Sequence, residues 1–163
     1  MALDADEPIR IDRPPLELSP DEFRSIGHAL IDKLSDYLAD LSDLPVSRGE
    51  SITKIRATLG NSPLPEVGVS PMGLMEMAAN LMLDHSVLSG HPRHLAYIIG
   101  SPAPLSALAD LLAAMINPNV SSWWRSPMAT EIEGQTIRWI AQMVGYPSSS
   151  GGILTSGGST ANY

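Results

Sequence analysis

Residues 152–162 read GILTSGGSTAN, a short apolar run followed by a turn rich in glycine and serine. The apolar part, Ile153–Thr155, predicts a short β-strand, and the turn predicts the first residues of a helix. Glycines let the backbone approach a ligand closely, and the free amides at a helix N-terminus attract an anion. With the hydroxyl of Ser159 as a further donor, the segment has the chemistry of a phosphate-binding turn, although many such turns are only linkers.

The same turn also approximates a nucleophile elbow. Gly157–Ala161 follows the pattern G-x-S-x-G with alanine in the last position, which would make Ser159 the nucleophile of a serine hydrolase. That chemistry needs an acid and a histidine after the serine. The histidines all precede Ser159, at positions 28, 85, 91 and 94. The serine hydrolase is therefore an alternative for which no histidine follows Ser159 to act as the general base.

Helical patterns fill most of the chain before this turn. Ser126-Pro127 opens a helix that ends at Gly145, and an apolar helix is predicted over Leu105–Asn117. In the helix that begins at Ser126-Pro127 the apolar residues have helical spacing. This spacing predicts a buried stripe of Met128, Ile132, Thr136, Trp139, Ile140 and Met143.

The N-terminal half contains further helix signals. Ser19-Pro20-Asp21-Glu22 combines a cap, a first-turn proline and a capping box, and predicts an amphipathic helix over 20–42. A short helix fits residues 52–59, and Ser70–Asp84 predicts a helix that is apolar on more than one face and hence largely buried. Residues 1–18 have the proline-interrupted pattern of an extended arm.

These elements define a mainly α chain of four to five helices with one short strand. A three-residue strand has no partner here, and a first helical turn is unfavourable without the turns that follow it. The ending at Tyr163 therefore predicts a fragment of a longer α/β chain. We expect two parts, an N-terminal arm with a helical segment over 1–85 and the start of a larger domain over 86–163.

Composition narrows the classes of function. The 163 residues carry a formal net charge of −8 and no basic patch, so we expect no nucleic-acid partner. The absence of cysteine excludes a disulfide framework and a thiolate site for metal or catalysis. No apolar run approaches the ~18 residues of a membrane span, and no signal peptide is visible, so a cytoplasmic, membrane-free protein is expected.

Two other groups have the residue types of a site. His91 and His94 have the spacing H-x-x-H, but Pro92 lies between them and no acidic residue is adjacent, so we predict no metal site and a solvent-facing or cleft-lining loop. Trp123 and Trp124 beside an arginine fit either a binding lid or a packing surface. The eight methionines mostly follow helical spacing, which predicts core residues.

Three blocks together resemble one known family. The segment His91-Pro-Arg-His-Leu-Ala-Tyr97 with Ser101 resembles the H-P-R-F-x-A-Y motif of the group II pyridoxal-phosphate decarboxylases, which include the aromatic-L-amino-acid decarboxylases. Residues 117–133 resemble the family's next block, and residues 152–162 its cofactor-phosphate block. Their order and spacing agree with the family over roughly residues 20–163.

The resemblance implies the N-terminal part of a fold-type-I enzyme, a homodimer that binds pyridoxal 5′-phosphate and an amino acid substrate. Gly158 and Ser159 match the positions that hold the cofactor phosphate. Tyr97, Ile98, Ile99, Gly100 and Ser101 match the loop that lines the substrate pocket. Ile99 and Gly100 stand where some members have Pro and Thr, and Ser121 stands where some aromatic-specific members have Phe, which argues against an aromatic substrate.

The resemblance also implies catalytic groups that do not match any position of this sequence. The family needs a Schiff-base lysine, a carboxylate at the pyridine nitrogen and a histidine stacked on the ring, all beyond the phosphate block. The two lysines, Lys33 and Lys54, match no cofactor motif, and Lys33 belongs to the solvated face of the first helix. We therefore expect a decarboxylase fragment without catalytic residues of its own, or else a non-catalytic helical dimerisation module derived from the family.

Overall fold

The computed structural model describes residues 17–61 and 63–163, and helices dominate both ranges. The helices in chain order are α1 Pro20–Asp40, α2 Ile52–Leu59, α3 Pro71–His85, α4 Pro104–Ile116, α5 Pro127–Met143 and α6 Gly158–Ala161. The mainly helical fold class is confirmed, and each predicted helix is present. The predicted N-terminal arm, apart from its last two residues, lies outside the described residues.

The short strand predicted at Ile153–Thr155 is wrong. These residues lie outside any strand or helix, and no strand occurs anywhere in the two described ranges. A β-strand is defined by hydrogen bonds to a neighbouring strand, and three apolar residues cannot supply that neighbour.

The starts of α1, α2 and α3 follow from local capping. The hydroxyl of Ser19 accepts a hydrogen bond from the Glu22 amide at 3.2 Å, and the Glu22 carboxylate accepts one from the Ser19 amide at 2.8 Å. The hydroxyls of Ser51 and Ser70 cap α2 and α3 in the same sense. These contacts satisfy amides that the first helical turn leaves without partners, so the boundaries could be predicted from neighbouring residues alone.

The chain divides into two compact units, and the first ends at Ser101. In this unit α1 packs against α3, and Ile26 of α1 is buried. A groove of about 220 Å³ between the two helices is lined by Ile26, Ala29, Leu30, Lys33, Met72, Met75, Glu76 and Ala79. Lys33 therefore lies half-buried beside apolar side chains, which corrects its predicted place on a solvated face.

The best-packed part of this unit is the corner between the end of α1 and the loop after α3. The amide of Leu88 donates to the Val46 carbonyl at 2.9 Å, and Leu88 is buried. The ring of His91 is only 3% exposed. Its Nε2–H donates to the Leu44 carbonyl at 3.0 Å, and its Nδ1 accepts from the Arg93 amide at 2.9 Å. Because a carbonyl can only accept and an amide can only donate, this arrangement requires the neutral Nε2–H tautomer.

The prediction that His91 faces solvent or lines a cleft is therefore wrong. The imidazole instead joins two segments that are 47 residues apart in the sequence. A polar ring is stable in this position because both of its nitrogens have hydrogen-bond partners.

A charged cluster fastens the segment before α2 to the end of α3. The Glu50 side chain is 7% exposed, and its carboxylate contacts Lys54 at 2.8 Å and His85 at 2.5 Å. Nearby, Arg48 pairs with Asp84. The Lys54 ammonium and the His85 imidazole together lower the pKa of the Glu50 carboxyl from 4.5 to about 2.

This cluster predicts a specific acid sensitivity. Unfolded Glu50 takes up a proton near pH 4.5, whereas folded Glu50 does so only near pH 2. Between these values the unfolded state binds more protons, so the stability from Glu50 is complete above about pH 5 and is lost as the pH falls toward 2. We expect the difference in free energy of unfolding between the wild type and Glu50→Gln to shrink over this window, measured by urea denaturation at successive pH values.

The matched control is Glu66→Gln, the same change at an exposed loop position. It should leave the pH dependence of the wild type in place. A Glu50→Gln variant that loses stability in parallel with the wild type down to about pH 2 would contradict the assignment.

The second unit, Pro102–Tyr163, contains α4, α5 and α6. Every residue of α4 is exposed, although the helix is strongly apolar. It ends at Asn117, whose left-handed backbone at φ 49° caps the helix as the asparagine or glycine of such a position usually does.

The buried apolar stripe predicted for α5 is wrong, as is the burial predicted for α3. Of α5 only Ala141 is buried, while Met128 is 72% and Met143 84% exposed. No residue of α3 is buried, and most of the methionines predicted as core are exposed. An apolar face becomes buried only when a second layer covers it. Within the described residues α1 covers one face of α3 only in part, where Met72 and Ala79 are half-buried.

Candidate functional site

The glycine- and serine-rich turn presents unpaired backbone donors. Gly157 has an extended backbone and caps α6, and the Ala161 amide donates to the Gly157 carbonyl at 3.0 Å. Within residues 17–61 and 63–163, the amides of Gly158, Ser159 and Thr160 make no hydrogen bond. These three N–H groups begin one helical turn and are exposed, which is the arrangement that binds oxyanions.

The surroundings of these amides are open. A Cβ atom placed on Gly157 or Gly158 would meet nothing within 4 Å. The Ser159 hydroxyl has no hydrogen-bond partner in the described part of the chain, so no general base activates it there. Three amides and one hydroxyl without carboxylates among them form a donor set that fits a phosphate group.

The segment leading into the turn is held by α5. The Leu154 amide donates to the Glu133 carboxylate at 3.1 Å. One helical turn further along α5, Ile137 lies so close to Gly152 that a Cβ atom there would approach its Cγ2 to 3.1 Å. Just before α6, the Thr155 hydroxyl donates to the Gly157 carbonyl at 3.3 Å. The backbone before the turn is therefore fixed by side chains rather than by a β-ladder.

The loop between α4 and α5 is ordered by its own polar groups. The Asn119 amide donates to the Ser126 hydroxyl, and the Ser121 amide donates to the Asn119 side chain, both at 2.9 Å. The indole of Trp123 donates to the Glu131 carboxylate at 2.9 Å. Its ring lies edge to face with the ring of Trp124, and the two ring centroids are 5.0 Å apart. Trp124 is 85% exposed, so in this unit the tryptophan pair presents a surface rather than filling a core.

The predicted substrate-pocket residues form the exposed end of the first unit. Tyr97 has a left-handed backbone at φ 65° and is 83% exposed, and Ile98–Ser101 are exposed as well. That conformation costs a residue other than glycine about 1–2 kcal/mol. The His94 ring lies 6.4 Å from the Tyr97 ring, and its Nε2 is buried without a hydrogen-bond partner in the described residues.

The predicted site residues thus divide between the two units, with Tyr97–Ser101 in the first and Gly158 and Ser159 in the second. Glu131 and Glu133 were not predicted from the sequence as supports of the site. The sequence feature that could have indicated this role is their spacing of two residues on α5. Side chains at this spacing point in different directions, and here one carboxylate accepts from Trp123 and the other from Leu154.

Other site types find little support. The described part of the chain contains no group of three or more histidine, aspartate or glutamate side chains placed so that they could bind a metal ion. Lys54 is engaged with Glu50 and Lys33 faces the groove beside α3. None of the helices in the described ranges has the length and apolarity needed to cross a bilayer.

Comparison with known proteins identifies the family. Residues 70–163 match the family model described as the pyridoxal-dependent decarboxylase conserved domain. This match covers more than half of the chain, and the protein therefore belongs to the pyridoxal-dependent decarboxylase family. The resemblance inferred from the three sequence blocks is confirmed.

Individual relatives agree with this assignment. The chain is 33% identical over 147 residues to an aromatic-L-amino-acid decarboxylase of Bacillus atrophaeus, covering 90% of this chain and 30% of that protein. It is 30% identical over 141 residues to an L-2,4-diaminobutyrate decarboxylase of Rhizobium meliloti, covering 86% of this chain and 28% of that protein.

A solved structure is similar as well. The crystal structure of Oryza sativa TDC with PLP matches with a TM-score of 0.72 and 26% identity, over 90% of this chain and 31% of that one. The chain thus spans about 30% of the length of the relatives that it matches.

Proposed function

We propose that this chain contributes the cofactor-phosphate site to a pyridoxal 5′-phosphate-dependent decarboxylase that converts an amino acid to an amine and CO₂. The observation that carries the proposal is the set of three unpaired amides, Gly158–Thr160, beside the Ser159 hydroxyl. Membership of a pyridoxal-dependent family supports a phosphorylated pyridine as the anion.

The residues of this chain would bind and orient. Gly158 and Ser159 would hold the phosphate through backbone N–H groups, aided by the hydroxyl and by the positive end of the α6 dipole. When bound, the cofactor supplies a ring that accepts the negative charge left on the substrate carbon as CO₂ departs. Tyr97–Ser101 would line the pocket for the amino acid, and the chain itself would provide no catalytic residue.

We further propose a cytoplasmic homodimer, with residues 1–85 as the dimerisation segment and residues 86–163 as the start of the cofactor domain. Exposed apolar side chains on α1, including Phe23, Ile31 and Leu38, support a role of the first segment in association. A second function, a non-catalytic helical interaction module, draws support from α4, whose apolar residues are all exposed.

A pair of probes that differ only in the phosphate tests the proposed site. Pyridoxine 5′-phosphate and pyridoxine contain no aldehyde, so neither reacts with Lys33 or Lys54. We expect pyridoxine 5′-phosphate to shift the amide resonances of Gly158, Ser159 and Thr160 in the ¹⁵N-labelled chain, and to bind at least about tenfold more tightly than pyridoxine, because charge-assisted hydrogen bonds are stronger than neutral ones.

Equal affinity for the two probes, or shifts confined to other residues, would contradict the phosphate site. If that result came with a dimer by light scattering, the interaction module would be the better description of the chain.

A further inference from the structure

The segment Gly152–Leu154 lies outside any helix or strand in the described ranges. An amide in such a segment needs another acceptor or must remain with water. At Leu154 that acceptor is the Glu133 carboxylate, 3.1 Å away and 21 residues earlier in the sequence. An ionised acceptor forms a stronger hydrogen bond than a carbonyl of a β-ladder would.

A second contact on the same face of α5 fixes the other end of the segment. Ile137 follows Glu133 by four residues, one helical turn, and it lies against Gly152 closely enough to leave little room for a Cβ atom. The two contacts hold Gly152 and Leu154 at successive turns of one helix. They set the direction in which the chain leaves α5 and enters the turn before α6.

We propose that Glu133 is a positioning residue for the phosphate-binding turn, and this inference rests on the function proposed above. Its carboxylate tethers the Leu154 amide and so sets the orientation of the Gly158–Thr160 amides relative to α5. The phosphate would contact the turn and not Glu133, so the effect of Glu133 on binding is transmitted through the backbone of residues 154–157.

The chain contains a matched control for the test. Glu131 lies two residues away on α5, but its carboxylate accepts from the Trp123 indole instead of from the turn segment. Glu131→Ala removes the same charge from the same helix without touching the tether. Glu133→Gln removes the charge of Glu133 and keeps an oxygen that can accept from Leu154.

The experiment measures two quantities in the full ¹⁵N-labelled chain, the hydrogen-exchange rate of the Leu154 amide and the dissociation constant for pyridoxine 5′-phosphate. In Glu133→Ala we expect Leu154 exchange and the dissociation constant each to rise about tenfold, the effect of losing one hydrogen bond to a charged group. In Glu133→Gln, which keeps a neutral acceptor, both should lie between the values of Glu133→Ala and the wild type, and Glu131→Ala should change neither. A general loss of structure would instead move amide resonances throughout the chain.

Each failure has a separate meaning. If the wild type binds the probe and Glu133→Ala binds equally well, the positioning role is overturned while the phosphate site stands. If the wild type does not bind, the proposed function fails, and the tether is then judged by the Gly158–Thr160 amide shifts. Shifts unchanged in Glu133→Ala would overturn the tether as well.

Discussion

Replacing His91 by alanine should lower the free energy of unfolding by about 2–4 kcal/mol. The ring is 3% exposed, and both of its nitrogens form hydrogen bonds. Nε2 donates to the Leu44 carbonyl, and Nδ1 accepts from the Arg93 amide. Alanine would leave the Arg93 amide without its acceptor, and would leave the Leu44 carbonyl with only the longer hydrogen bond from the Arg93 guanidinium, at 3.5 Å. It would also open a cavity in the best-packed corner of the first unit. Urea denaturation followed by circular dichroism measures the change.

The control for this prediction is His28→Ala, because His28 is exposed on α1. That substitution should stay within about 0.5 kcal/mol of the wild type. A His91→Ala variant that is as stable as His28→Ala would show that the imidazole does not join the two segments in solution.

Aspartate in place of Ser159 should weaken binding of pyridoxine 5′-phosphate by about 30- to 100-fold. A carboxylate within roughly 4 Å of a phosphate dianion costs about 2–3 kcal/mol at a partly exposed site, between the limits for water and for the protein surface. The hydroxyl donor is lost at the same time. Titration of the labelled chain, followed by the amide shifts of the turn, gives the dissociation constant.

The same substitution should not destabilise the fold, which separates the loss of binding from a loss of structure. An acidic residue in the first turn of a helix interacts favourably with the helix dipole. Ser149→Asp adds the same charge at an exposed position ten residues earlier and should bind nearly as the wild type does. Equal weakening in both variants would indicate a general charge effect and not a phosphate site at the turn.

The sequence predicted the hydrogen-bond donors of the candidate site but not the side chain that holds the segment before them. Glycine lets the backbone approach a ligand closely, and a helix N-terminus leaves its first amides free, so the donor turn at Gly158 and Ser159 could be inferred from adjacent residues. The tether from Glu133 could not, because its contact with Leu154 spans 21 residues and depends on how α5 lies against that segment. The assignment of Gly158, Ser159 and Tyr97–Ser101 to cofactor and substrate stays a prediction.

The sequence by itself determined where the helices begin and to which family the chain belongs. Helix starts depend on hydrogen bonds within about four residues, as in the capping box of Ser19 and Glu22, and are encoded locally. The tertiary structure alone decided that His91 is buried and that the apolar faces of α3 and α5 are not. Periodicity records that a face is apolar, but burial requires a second surface to cover that face, and its position follows from contacts between distant residues.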